Sequence, residues 1–338
     1  MTGFDVHLRA VTPLVVGGAG DAQDRRLGVQ AEGFRIPSIR GVLHWWFRAG
    51  WGATEAPSAL LDAEREVFGG EGAGSTVDLW VTGRRGKVGT AYVGMNDPDP
   101  RTLKSGNKVV PKRETHLEGS EAVVHVRFRE HSPSRQQKQF LGAFRLLQFL
   151  GGIGGRWRRG FGSIWEVERD GSWRDPIYGG DLPSRAAWLE REVSAAVAAI
   201  RASGAPPPAR ESGIRALRKD SAKLYLVEPS QGTWSTWEQA MDQLRDDFYR
   251  EIKRRFTSWF GDQIDALGSL VPRQPSPVTI QIKPASSGDS VGVVVVWFSE
   301  AIEAGMGTRW AAWEEALKSP FAGSKGRAPL VFQEIPLP

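Results

Sequence analysis

Residues 151–163 read Gly-Gly-Ile-Gly-Gly-Arg-Trp-Arg-Arg-Gly-Phe-Gly-Ser, so six glycines surround Arg156, Trp157, Arg158 and Arg159. Glycine admits positive φ and lets a backbone approach a ligand closely, here at Gly154 and Gly155. Guanidinium forks match phosphate oxygens and an indole offers a stacking face, so these residue types in this order read as a cradle for nucleic acid. A mobile linker is the alternative, but linkers carry Ser, Thr or Lys rather than three Arg and a Trp in succession. Nucleotide motifs fit less well: Gly152 and Gly154 open a G-x-G pair, yet Trp157 stands where the third glycine belongs, and no Lys follows in Walker A position. That Lys is also missing after the glycines at 69–74, where Ser75 follows directly.

A second group lies near the start of the chain, where Arg40, His44 and Arg48 recur every fourth residue. On a helix this spacing makes one row, a short basic ridge or else a plain solvated face. His44, between two arginines, has the setting of a general base for metal-free RNA cleavage. Its fellows His7, His116, His125 and His131 form no pair at H-x-x-x-H or H-E-x-x-H spacing. No G-x-S-x-G elbow or clustered aspartate pair is present either, so neither a metal nor a cofactor is expected.

The totals set the frame for these groups. With 338 residues, 40% of them apolar and 25% charged, the chain has the material for two globular domains. Zero cysteines exclude disulfides and thiolate metal sites. No apolar run has the length of a membrane span, so no membrane partner and a cytoplasmic location are expected. The net charge of +5 is uneven: residues 101–160 hold 13 Lys and Arg against four Glu, while the rest of the chain is net negative. One concentrated basic patch points to a polyanionic partner.

The elements that must position these residues follow from periodicity. Phe4, Val6, Leu8 and Ala10 alternate with polar residues as in a half-buried strand. Ser38 is a plausible cap for a helix with Leu43, Trp46, Phe47 and Gly50 inward. A second helix ends at Gly69-Gly70, and strands are expected over 75–81 and 87–95. Residues 96–119 are polar and carry Arg101, Lys104, Lys108, Lys112 and Arg113, which predicts an extended arm or hairpin leaving the sheet. The strand over 122–129 sends His125, Arg127 and Arg129 to one side, giving it a basic face. An apolar stripe from Phe140 to Leu150 leads into the glycine-rich loop, and a strand over 161–168 closes the unit. This order is the split βαβ pattern of a ferredoxin-like domain. Past a junction at 176–183 come a helix over 186–202, a strand over 224–227, a long amphipathic helix from Trp237 to Trp259, strands over 278–282 and 291–298, and a helix over 308–317. The fold class is α+β, two tandem domains of ferredoxin-like (RRM-like) type, at 1–175 and 176–338.

The run Ile36-Pro37-Ser38-Ile39-Arg40-Gly41-Val42-Leu43-His44-Trp45-Trp46-Phe47-Arg48, then Val67-Phe68-Gly69 and Ser75, then the loop at 151–163, resembles the RAMP superfamily of CRISPR proteins. Within it the Trp-Trp-Phe-Arg helix is most similar to the first-subunit family of type III-B Cmr complexes, and Arg273-Gln274-Pro275-Ser276-Pro277 resembles that family's R-x-x-S-P segment. Before the Trp pair many members have Arg where this chain has His44. The resemblance implies a glycine-rich loop in the first of two ferredoxin-like domains. It also implies a non-nucleolytic subunit that binds guide RNA and target single-stranded RNA beside other Cmr subunits. The expected RNA contacts are Arg40, His44, Arg48, Lys108, Lys112, Arg113, Arg127, Arg129, Gly154, Gly155, Arg156, Trp157, Arg158 and Arg159. Two other readings stay open: a metal-independent RAMP endoribonuclease acting on guide precursor through His44, and a purely architectural subunit.

Overall fold

The computed structural model describes residues 3–16, 33–52, 57–72, 74–91, 113–175, 177, 180–201, 216–218, 221–252, 254–255, 278–286, 288–297, 315–316, 321 and 326–338. Its first sheet holds β1 (Gly3–Ala10), β2 (Val77–Arg85), β5 (Glu121–Phe128) and β6 (Ile164–Glu166), in the antiparallel order β2-β5-β1-β6. Helices α1 (Ile36–Trp51) and α2 (Pro57–Phe68) join β1 to β2, and α3 (Ser134–Leu150) joins β5 to β6. This is the ferredoxin-like arrangement with α2 added. Between β2 and β5 a separate two-stranded ladder pairs β3 (Val88–Ala91), within the strand expected over 87–95, with β4 (Arg113–His116), at the end of the expected arm, of which 96–112 lie outside the described residues.

One face of the sheet makes the core. Val6, Leu8 and Ala10 of β1 and Val124, Val126 and Phe128 of β5 are buried, opposite Trp46, Phe47, Phe140, Phe144 and Leu147 of α1 and α3. The start of α1 differs from expectation: Arg35, with no side-chain cap, precedes the helix, and Ser38 lies inside it. Pro37 explains the shift, because its fixed φ and missing N–H suit the first turn. The closing strand is also shorter than its apolar run, since 161–163 turn to bond elsewhere.

The second sheet orders β7 (Ala222–Pro229), β8 (Val278–Ser286), β9 (Asp289–Trp297) and β10 (Leu330–Ile335) as β10-β7-β9-β8. Val291 and Val293 to Val296 are buried in succession, as in a strand covered on both faces. Helix α4 (Leu182–Arg201) packs against α1, α3 and β10, so it touches both sheets' layers. Its approach to α3 is close: a Cβ on Gly142 would sit 2.6 Å from the Ala196 carbonyl oxygen.

Two further differences stand out. The long helix expected from Trp237 is not uniform: α5 (Trp237–Gln243), capped by Thr236, runs into a π-helical turn, Leu244–Tyr249, residues 250–252 and 254–255 are α-helical again, and 256–259 lie outside the described residues. The wider turn carries Asp246 inward, where Arg245, Arg250 and Arg327 reach it. Edge strand β10 was not foreseen, because only its ends, Leu330 and Ile335, are buried and no alternation marks it. Of the expected last helix, 315–316 are helical and the remainder lies outside the described residues. No helix among the described residues is long and apolar enough to cross a membrane.

Candidate nucleic-acid interface

The glycine-rich loop is a small hairpin pinned on both flanks. Ile153 N–H donates to the Gly162 carbonyl (2.8 Å), and Gly152 bridges Ser163. Gly162 N–H donates to the Pro13 carbonyl (2.9 Å) and Gly155 N–H to that of Val15 (2.6 Å). Thr12 Oγ1 donates to the Gly160 carbonyl (2.8 Å) and accepts from Ser163 N–H (3.0 Å). This density of bonds rules out a mobile linker.

On its other flank the loop meets β8, the edge strand of the second sheet. Arg159 and Ile280 bridge in parallel, with Ile280 N–H donating to the Arg158 carbonyl (2.9 Å). Ser163 Oγ donates to Gln281 Oε1 (2.6 Å), and Gln281 Nε2 donates to the Trp157 carbonyl. Lys283 Nζ, on a side chain 0% exposed, lies 2.6 Å from the Gly151 carbonyl oxygen and 5.9 Å from the Trp165 ring centroid. The unpaired edge of the second sheet is thereby satisfied by the loop of the first unit.

Burial pushes the Lys283 ammonium well below the ordinary lysine range. Below the ordinary value of about 10.4 the unfolded chain therefore binds more proton than the folded one, so this group's contribution makes stability rise with pH between its depressed pKa and that value. Lys283→Met is expected to flatten the rise, read by urea unfolding at steps from about pH 8 to 10. Stability curves that run parallel for the two proteins would contradict this account of the lysine.

The loop's arginines differ in surroundings. Arg156 is exposed and holds φ at 57°, Arg159 is half-buried, and Arg158 lies between two indoles, 5.4 Å from the Trp45 centroid and 5.3 Å from that of Trp157. Burial lowers the Arg158 pKa, and among the described residues no carboxylate pairs with it. A desolvated cation without a counter-charge favours an incoming anion. Trp157 stands edge-on to Trp45 (5.1 Å, 72°), which stands edge-on to Trp297 of β9 (5.1 Å, 86°). An aromatic cluster from α1, the loop and the second sheet thus frames Arg158, while Gly154 and Gly155 pack against Val15 and Val16.

The other predicted residues are not gathered into this site. Arg40, His44 and Arg48 form a row alongside α2, with Arg40 and Arg48 exposed and His44 half-buried. Arg40 donates to the Phe68 carbonyl, His44 Nδ1 is 2.5 Å from Glu64 Oε1, and Arg48 Nε is 2.8 Å from Glu64 Oε2. Burial would raise the Glu64 pKa, but the hydrogen bonds from His44 and Arg48 outweigh it and hold the carboxyl below its usual range. On the outer face of β5, Arg127 pairs with Asp5 (2.8 Å) and Arg129 with Asp78 (2.9 Å). Lys108, Lys112 and the arm's residues 96–112 lie outside the described residues, as does the 273–277 segment; Arg113 begins β4. No metal-holding cluster of His, Asp or Glu occurs among the described residues.

Sequence reasoning passed over Thr12, Trp45, Gln281 and Lys283. A signal existed for the last two: Thr279, Gln281 and Lys283 alternate with apolar residues, and all three are buried. Such a polar side must meet polar partners somewhere, and here they are loop carbonyls for Gln281 and Lys283 and the Trp297 indole N–H for Thr279.

Residues 7–165 match the family model of the RAMP superfamily, a stretch that contains both the Trp-Trp-Phe-Arg helix and the loop. Among solved structures, the chain is similar in fold to Cmr1 from Pyrococcus furiosus in its apo form, at 18% identity and a TM-score of 0.56 over 88% of each chain. A chain of the type III-B Cmr-beta complex bound to cognate target RNA matches at 11% identity and a TM-score of 0.56, over 88% of this chain and 94% of that one. No curated protein matches by sequence.

Proposed function

We propose that this chain, whose residues 7–165 match the RAMP superfamily, is a non-catalytic RNA-binding subunit of a type III-B CRISPR Cmr ribonucleoprotein effector in antiviral defence. It works in the cytoplasm beside other Cmr subunits and holds guide RNA, target single-stranded RNA or both at one end of the complex. Its two units are 1–175 and 176–338. The observation that carries the reading is Arg158, half-buried between Trp45 and Trp157 without a carboxylate partner among the described residues, on a loop whose glycines let it pack tightly on Val15, Val16, Ile153 and Met241 and so hold the arginine in place. Arg156 and Arg159 extend the same edge toward phosphates. The fold likeness to a chain of a complex described as bound to cognate target RNA supports the same partner.

One observation favours a second reading. The His44 imidazole is oriented by Glu64, as in a carboxylate-assisted general base, which fits a metal-independent RAMP endoribonuclease processing guide precursor. Its ring, though, packs on Phe68 (4.3 Å) in the seam between α1 and α2, and Arg48 shares the carboxylate. The two readings separate when the purified chain is incubated with labelled precursor and target RNA in EDTA, with a gel shift run in parallel. The expected result is a retained single-stranded RNA, less retention of a duplex, and no cleavage. Clean cleavage that His44→Ala abolishes would overturn the non-catalytic assignment.

A further inference from the structure

We infer that the outer face of the first sheet, away from the glycine-rich loop, is a second RNA contact: a stacking platform for one base of a single strand, centred on Trp80. This rests on the RNA-binding reading above and adds a surface to it.

Trp80 of β2 is 41% exposed. Its indole lies nearly parallel to the His125 ring of β5 (4.9 Å between centroids, 15° between planes), with the Arg127 guanidinium 5.4 Å from the indole centroid. The support beneath is itself fixed. His125 Nδ1 is 2.9 Å from Asp5 Oδ1, its Nε2 is 2.6 Å from Thr82 Oγ1, and Arg127 Nη1 donates to the Phe4 carbonyl (2.9 Å). Hydrogen bonds at both ring nitrogens hold the imidazole flat against the indole. An exposed indole fixed by a polar network loses little conformational entropy when a base stacks on it.

The identity of the occupant follows from what surrounds the indole. Trp80 is the one large apolar side chain exposed on this face among the described residues, and its neighbours are charged, which is unlike the apolar centre of a protein interface. Arg129, paired with Asp78, stands toward one end of this face, and the cations nearer the other end are Arg84, Arg85 and Lys87, exposed where β2 runs past a bulge at Gly83. Cations flanking a single aromatic suit phosphates flanking a base. Exposed aromatics on four-stranded sheets serve single-stranded RNA in this way in RRM domains.

The test uses the full chain and a single-stranded RNA carrying 5-iodouridine, with crosslinks mapped by mass spectrometry and affinities measured by anisotropy. A crosslink on the peptide holding Trp80 or His125 is expected. Trp80→Ala should weaken binding by about five- to 150-fold with an unchanged salt dependence, and Trp80→Phe should retain most of it. Matching urea unfolding curves establish that the variants are folded. If Trp80→Ala binds as the wild type does while loss of the loop arginines weakens binding, the platform is refuted and the RNA reading stands. If the wild type binds no RNA, the reading beneath it falls and takes the platform with it. Protection of Trp80 from oxidation by partner subunits without RNA would assign the face to a protein and overturn the inference.

Discussion

Trp46→Ala is expected to destabilise the chain by about 3–5 kcal/mol, the cost of truncating a fully buried aromatic. Trp46 is 0% exposed and packs edge-on against Trp45 (4.6 Å, 86°), with Trp157 and Trp297 at 6.1 and 6.0 Å. It also limits the loop, because a Cβ on Gly151 would collide with its Nε1. The loss therefore falls where α1, the glycine-rich loop and the second sheet meet. Against a total stability of roughly 5–15 kcal/mol it is a large fraction. Trp46→Phe should cost less: the indole N–H has no hydrogen-bond partner among the described residues, so only volume is lost. Urea unfolding of the three proteins decides this. An alanine variant as stable as the wild type would mean that this indole does not hold the junction together.

Local pattern carried the first unit well. The alternation in β1 and β5 and the stripe of α1 were legible because one face of each is buried and the other more open, whereas α3 is buried on nearly all sides past Gln139 and showed only its apolar stripe. What could not be read was where polar residues find partners. Arg40, His44 and Arg48 do lie in one row, but periodicity could not show that Glu64 of α2 draws His44 and Arg48 to itself while Arg40 and Arg48 stay exposed. The loop's glycines were read as room for a ligand, and what approaches them closely among the described residues is the chain itself, at Val15, Val16, Ile153 and Met241. The loop's docking on β8 was not legible, because that contact joins residues more than a hundred positions apart through Gln281, Ile282 and Lys283. The π turn was missed for a related reason: a heptad-like stripe registers apolar spacing and is silent about a buried Asp246 held by three arginines.

Changing Arg156, Arg158 and Arg159 together to Ala tests the central claim, that the loop holds an RNA backbone by its phosphates. Phosphate contacts position a strand without reading its bases, so the variant should bind every single-stranded sequence more weakly. Each lost contact should also lower the slope of log affinity against log salt by roughly 0.7, about 2 for all three. The fold should survive, because the loop's backbone is held by the backbones of Pro13, Val15 and Ile280 and by the Gln281 and Lys283 side chains, in bonds that none of the three arginine side chains makes. The most direct measurement is anisotropy of a labelled single-stranded RNA across a salt series, wild type beside triple variant, with unfolding curves for both. The account predicts a folded variant whose slope is shallower by about 2. An unchanged slope in a folded variant would contradict it, leaving the loop as a clamp between the two sheets and nothing more.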